Sequence, residues 1–203
     1  MKKFFLVLTS SIITLLLSTA GFAQGDPAAV QAKAALCATC HGADGNSILA
    51  INPKLAGQNA SYLVKQLMDF KSRNRPGVTM AAMVAALSEE DMQEIASWYA
   101  SQEVTLGGAN PETLELAESI YRAGVKDLSV AACSACHSPA GDGNALAGFP
   151  SLSGQHAEYT LQQLKDFRAG VRQNDTGAMM RSVVERLTDK ELEALASYVS
   201  GLN

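Results

Sequence analysis

The sequence is poor in cysteine, in charge and in aromatic side chains. Four cysteines in 203 residues are too few for a disulfide-dense fold. Charged residues make up 18% and hydrophobic residues 47%, which is ordinary globular composition and excludes a disordered or collagen-like chain. There is no basic excess. Lys and Arg total 16 against 20 Asp and Glu, a formal charge of −4 that argues against a nucleic-acid binder. No stretch alternates apolar and polar residues convincingly, so no sheet is expected. Beyond the N-terminus no run is long and apolar enough to cross a bilayer. The length permits one large domain or two small ones.

What is present begins with a leader. Lys2 and Lys3 precede an apolar run from Phe4 to Leu17, and Gly21-Phe22-Ala23 sets small residues at the −3 and −1 positions of a cleavage site. The rival reading is an uncleaved anchor, but the run is short for a span of about 20 residues. Residues 1–23 are therefore read as a cleaved export signal. Its loss leaves 14 basic against 20 acidic side chains, a formal charge of −6. Export leads to a compartment where disulfides can form.

The remaining chain repeats. Cys37-Ala38-Thr39-Cys40-His41 returns as Cys133-Ser134-Ala135-Cys136-His137. Asp44-Gly45-Asn46 returns as Asp142-Gly143-Asn144, and Pro53-Lys54-Leu55-Ala56-Gly57-Gln58 as Pro150-Ser151-Leu152-Ser153-Gly154-Gln155. Tyr62, Gln66, Leu67 and Phe70 return as Tyr159, Gln163, Leu164 and Phe167. The offset drifts from 96 to 100, which places small insertions in loops. Two copies are too few for a solenoid and read as two homologous domains, 24–106 and 107–203. They join near Val104–Pro111, where Gly-Gly and Asn-Pro steps break regular structure.

Each half reads as helical. A first helix, Pro27 to Ala35 or Pro111 to Ala123, carries the cysteine block at its end. A middle helix covers about Ser61–Lys71 and Glu158–Ala169. A last helix begins at Ser88 or Thr188, where Ser88-x-x-Asp91 and Thr188-x-x-Glu191 are capping patterns. Ile95, Trp98 and Tyr99 are expected to face inward, matched by Leu195, Tyr198 and Val199. Each half is small for a self-sufficient core, so a bound group or the other half has to contribute.

The cysteine pentads have a specific chemistry. Two cysteines three apart on a helical turn can each add to one vinyl group of haem, and the adjacent histidine reaches the iron. A redox Cys-x-x-Cys pair belongs in a βαβ setting that is absent here. A shared zinc site would leave the histidines unexplained, and two disulfides would leave the duplicated pentad unexplained. Cys37, Cys40, Cys133 and Cys136 are thus read as attaching two haem c groups, with His41 and His137 as axial iron ligands.

For the second ligand the repeat selects among Met68, Met80, Met83, Met92, Met179, Met180 and His156. At the offset of 100 shared by Leu87/Leu187 and Ala96/Ala196, only Met80 and Met180 coincide. Both are placed in a loop before the last helix. Met83 and Met179 are their nearest rivals, and a lone methionine more often fills a core. His156 is matched by Asn59 and reads as a surface histidine. A carbonyl near Pro53 and Pro150 is a candidate to orient each ligating ring. Gly57 and Gly154 are candidates for close backbone approach to it, or plain turn residues. Tyr62 and Tyr159 either hydrogen-bond haem propionates or pack in the core with a wet hydroxyl.

These features together resemble the cytochrome c4 family: the paired pentads, the Pro-x-Leu-x-Gly-Gln segments, the Tyr-x-x-x-Gln-Leu-x-x-Phe helices and the methionine before each capped helix. The likeness covers essentially all of 24–203. It implies an all-α protein of two tandem class I cytochrome c domains, each wrapped around one covalently bound haem with His/Met ligation. It also implies periplasmic electron transfer to a terminal oxidase, with no substrate chemistry of its own. The alternative is a dihaem electron-accepting subunit of a dehydrogenase, such as a flavoprotein that oxidises sulfide. A two-haem peroxidase would need an iron without its sixth ligand, against which the duplicated methionine argues. Redox proteins are the expected partners, with membrane association only through one of them.

Overall fold

The computed structural model describes residues 27–203, so the leader lies outside the described residues. The first half holds α1 (Pro27–His41), α2 (Ala60–Lys71), α3 (Val78–Val84) and α4 (Glu89–Ala100). After a 3₁₀ turn at Pro111–Thr113 the second half holds α5 (Leu114–Ala123), α6 (Ser134–His137), α7 (Ala157–Arg168), α8 (Met179–Val184) and α9 (Asp189–Ser200). Only two isolated β-bridges occur among the described residues, Val125–Val130 and Asn144–Phe149. No described helix is long and apolar enough to cross a membrane.

The last helix is the hub of each half. α1 and α2 pack on α4, and α5 and α7 pack on α9. Both hubs start from a capping box, Ser88 with Asp91 and Thr188 with Glu191, in which side chain and backbone exchange hydrogen bonds. Met92, Ile95, Ala96 and Tyr99 then recur at helical spacing and are all buried, as are Leu192, Leu195, Ala196 and Val199. Ala96 and Ala196 have almost no exposed surface, and a small side chain there lets a neighbouring helix approach closely.

Three expectations are corrected. In the second half the cysteine block is not at the end of the first helix. α5 stops at Ala123, Gly124 turns with a positive φ, and the block lies on the separate α6. A Cβ at Gly124 would fall 2.2 Å from the Val130 carbonyl oxygen, so the close return of the chain requires glycine there. Met80 and Met180 are on the short helices α3 and α8 rather than in loops. Third, the structural counterpart of Gly45 is Gly141, not Gly143. Gly45 accepts from the amides of Leu55 and Ala56, and Gly141 accepts in the same way from Leu152 and Ser153. Their φ values are 83° and 81°. Hydrogen-bond pattern, rather than the repeated Asp-Gly-Asn letters, defines the shared turn.

The halves meet across a pseudo-twofold interface. Gln58 donates to the Ser151 carbonyl and accepts from its amide, both at 2.8 Å. Gln155 does the same to Lys54, both at 2.9 Å. Gln58 and Gln155 are repeat equivalents, as are Lys54 and Ser151, so each half presents the same patch to the other, as in an isologous dimer. The connecting strand of chain is fastened at both ends. Thr105 donates its amide and hydroxyl to Asn46, and Gly107 donates to the Ser200 carbonyl. Gly57 and Gly154 prove to be turn glycines at this seam. They donate to the ends of α4 and α9, at Tyr99 and Val199, and their nearest non-bonded neighbours lie in residues 102–106.

Candidate functional site

α1 carries Cys37, Cys40 and His41 through its last turn. A pentad in helical conformation puts the two sulfurs three residues apart along one turn, with the ring just beyond. α6 repeats this with Cys136 and His137, and Cys133 stands just before its first residue. The four thiols are free, so neither pair is joined as a disulfide. Cys37 packs against the cluster that holds Leu63, Ile95 and Tyr99, and Cys133 against the second-half core that holds Tyr121 and Leu195. Cys40 and Cys136 are exposed. Each pair therefore spans from core to surface. Burial raises the Cys37 thiol and pushes Cys133 up to about 11.

The two histidine rings are almost fully buried, at 7% and 6% exposure. His41 Nδ1 donates to the Pro53 carbonyl at 2.8 Å and His137 Nδ1 to the Pro150 carbonyl at 2.9 Å. The expected orienting carbonyls are thus the prolyl ones themselves. Burial lowers both imidazole pKa values and outweighs the opposing pull of the carbonyl. A neutral ring with its proton held on Nδ1 leaves Nε2 with a lone pair, which is the form that binds a metal.

Of the methionines, Met80 and Met180 are half-buried and pack against core. Met80 touches the Phe70, Val84 and Met92 cluster, and Met180 belongs to the wall of the second-half core that also takes in Cys133. Met92 is a fully buried core residue, while Met68 and Met179 are exposed. Met83 is half-buried and joins neither cluster. The donor set fits a haem c in each half: two thiols, a neutral oriented imidazole and a thioether on a short helix beside apolar core.

Sequence reasoning missed the polar centre of the interface. Arg75 and Arg172 are buried. Arg75 donates to Gln66 of its own half and to Tyr159 and Gln163 of the other, at 2.8–2.9 Å. Arg172 donates to Gln163 of its own half and to Tyr62 and Gln66 of the other, at 2.8–3.0 Å. Each guanidinium also covers a ring, Phe70 or Phe167. Burial opposes ionisation of Tyr62, yet the two guanidiniums outweigh it and hold its pKa below the ordinary value. The tyrosine hydroxyls are therefore engaged across the interface and are not wet. The signal was in the repeat, where Gln66/Gln163 and Tyr62/Tyr159 recur, but recurrence alone does not say what they touch.

His156 is likewise not a surface residue. It is half-buried, and its Nε2 lies 2.9 Å from both the hydroxyl and the carbonyl oxygen of Ser47 in the first half. Its counterpart Asn59 donates to the carbonyls of Phe149 and Asp142 at 2.9 and 3.3 Å. Both positions clasp the opposite half, so imidazole and amide serve one purpose there.

Comparison with known proteins agrees with this geometry. The family model described as "Cytochrome c" matches residues 123–203, and that described as "Cytochrome C oxidase, cbb3-type, subunit III" matches 26–98. Cytochrome c4 of Stutzerimonas stutzeri is 45% identical over 97% of this chain and 99% of its own. The crystal structure of reduced recombinant cytochrome c4 from Pseudomonas stutzeri matches with a TM-score of 0.84 at 46% identity, covering 88% of this chain and all of that one. A thiosulfate dehydrogenase electron acceptor of Stutzerimonas stutzeri is 36% identical over 82% of this chain and 78% of its own. The chain belongs to the cytochrome c4 family, a dihaem electron carrier of two cytochrome c domains, each with one covalently bound haem c, and not an enzyme.

Proposed function

We propose that the protein is a periplasmic carrier that takes electrons from a respiratory donor and delivers them to a terminal oxidase. The observation that supports this best is the duplicated donor set in two halves locked by one polar interface. Haem c supplies a one-electron couple, and His/Met ligation favours the reduced state, raising the potential as a respiratory carrier needs. Cys37 and Cys40 hold the first haem and Cys133 and Cys136 the second. His41 and Met80 ligate the first iron, and His137 and Met180 the second. The domain boundary is placed at 106/107, supported by the Asn46–Thr105 and Ser200–Gly107 hydrogen bonds on either side of it. The leader at 1–23 supports export.

The likeness to a thiosulfate dehydrogenase electron acceptor favours a second reading, in which the carrier works as the accepting partner of one dehydrogenase. Stopped-flow oxidation of the reduced holoprotein by oxidase-containing membranes separates the two. Fast oxidation that supports oxygen uptake is the expected result. Slow oxidation, together with stable co-purification with a dehydrogenase, would replace the oxidase reading with the second.

A further inference from the structure

The pseudo-twofold repeats the buried arginines of the interface, since Arg75 answers Arg172 and their electrostatic effects on the two halves balance. Lys54 has no such answer. It follows Pro53, whose carbonyl orients His41, and its repeat partner after Pro150 is the neutral Ser151. The two backbones are held alike by Gln155 and Gln58, so the positions are equivalent in structure and differ in charge. Lys54 is 8% exposed. Its ammonium donates to the Thr105 carbonyl, a neutral acceptor, and forms no ion pair with a carboxylate among the described residues. Asp175, the buried acid of the second half, is by contrast neutralised by Arg181 at 2.9 Å.

We infer that Lys54 is a tuning residue that raises the reduction potential of the first-half haem relative to the second and biases a shared electron toward the first half. Reduction lowers the positive charge at an iron by one, so a nearby uncompensated cation disfavours the oxidised state. The redistribution moves one electron from the second site to the first, oxidising one and reducing the other, with no proton transferred. Burial lowers the Lys54 pKa, the mark of a charge held without a partner. The inference rests on the assignment of His41 to the first haem and His137 to the second.

The test is a spectroelectrochemical titration of the holoprotein, resolving its two one-electron midpoints. Lys54→Gln keeps a donor for Thr105 and removes the charge, and Ser151→Lys adds a charge to the other half. The expected result is that K54Q lowers one midpoint and S151K raises the other, with Lys54→Arg leaving the wild-type values. K54Q should shift the partition of a single electron toward the second half by roughly 6-fold, the effect of a unit charge at ~15 Å in a dielectric of about 20. Met180→His marks the second haem, because imidazole in place of thioether lowers its potential. Movement by K54Q of neither midpoint, of both equally, or of the one M180H lowers would overturn the inference. If M180H moves neither midpoint, the Met180 assignment fails, while K54Q and S151K still decide on Lys54 by moving different midpoints in opposite directions. Should S151K not fold, K54Q against K54R decides alone.

Discussion

Nδ1 of each buried histidine is committed to a prolyl carbonyl, so the ring cannot turn without breaking a bond in a dry site. That commitment makes ligand variants local. Met80→Ala should abolish the red-edge charge-transfer band of one ferric haem and leave the other, and Met180→Ala should do the converse, as read by absorption of the oxidised protein. A loss with Met83→Ala but not Met80→Ala would reassign the first ligand. The same burial lowers both imidazole pKa values, which keeps the rings neutral and able to ligate iron through Nε2. At this scale the sequence was highly legible. Pentad and orienting proline are set by short spacings, while His156 was misread because its partner Ser47 is 109 residues away.

Helices α4 and α9 were readable from their caps and periodic apolar face. Ser88→Ala and Thr188→Ala should each cost about 1 kcal/mol of stability by chemical denaturation. The short helices α3 and α8 were not readable. Seven and six residues show too little periodicity to signal a helix, and short helices depend on tertiary packing, here of Val84 and Val184 against the core. The turn before them in the second half is longer, since Arg172 precedes Met180 by eight residues and Arg75 precedes Met80 by five. The extra length is used: Asn174 donates to Gln66 and Asp69 of the first half. Turns carry their own prediction. A Cβ on Gly45 would lie 2.6 Å from the Ala56 nitrogen and 2.7 Å from the Tyr99 ring, whereas Gly148 has open space around it. Gly45→Ala should destabilise by about 3 kcal/mol or more, and Gly148→Ala by only about 1 kcal/mol of left-handed backbone strain, in the same denaturation assay.

For the whole molecule the interface matters most. Each arginine is shared between halves, so removing Arg172 takes a donor from glutamine and tyrosine oxygens on both sides and leaves the Tyr62 hydroxyl without the one that Arg172 supplies. Arg172→Met should cost about 2–3 kcal/mol and loosen the association of the halves, visible as a separation of one thermal transition into two. A single unchanged transition would show that Gln58 and Gln155 suffice. The sequence by itself determined the haem chemistry, the duplication and the helical class, because covalent attachment, capping and helix periodicity act over a few residues. Only the tertiary structure decided which repeated polar residues face each other, which glycine makes the shared turn, and where Lys54 breaks the symmetry. The facing of the polar residues depends on groups 84 to 110 residues apart, brought within hydrogen-bond range by the packing of two halves. No local pattern specifies that register.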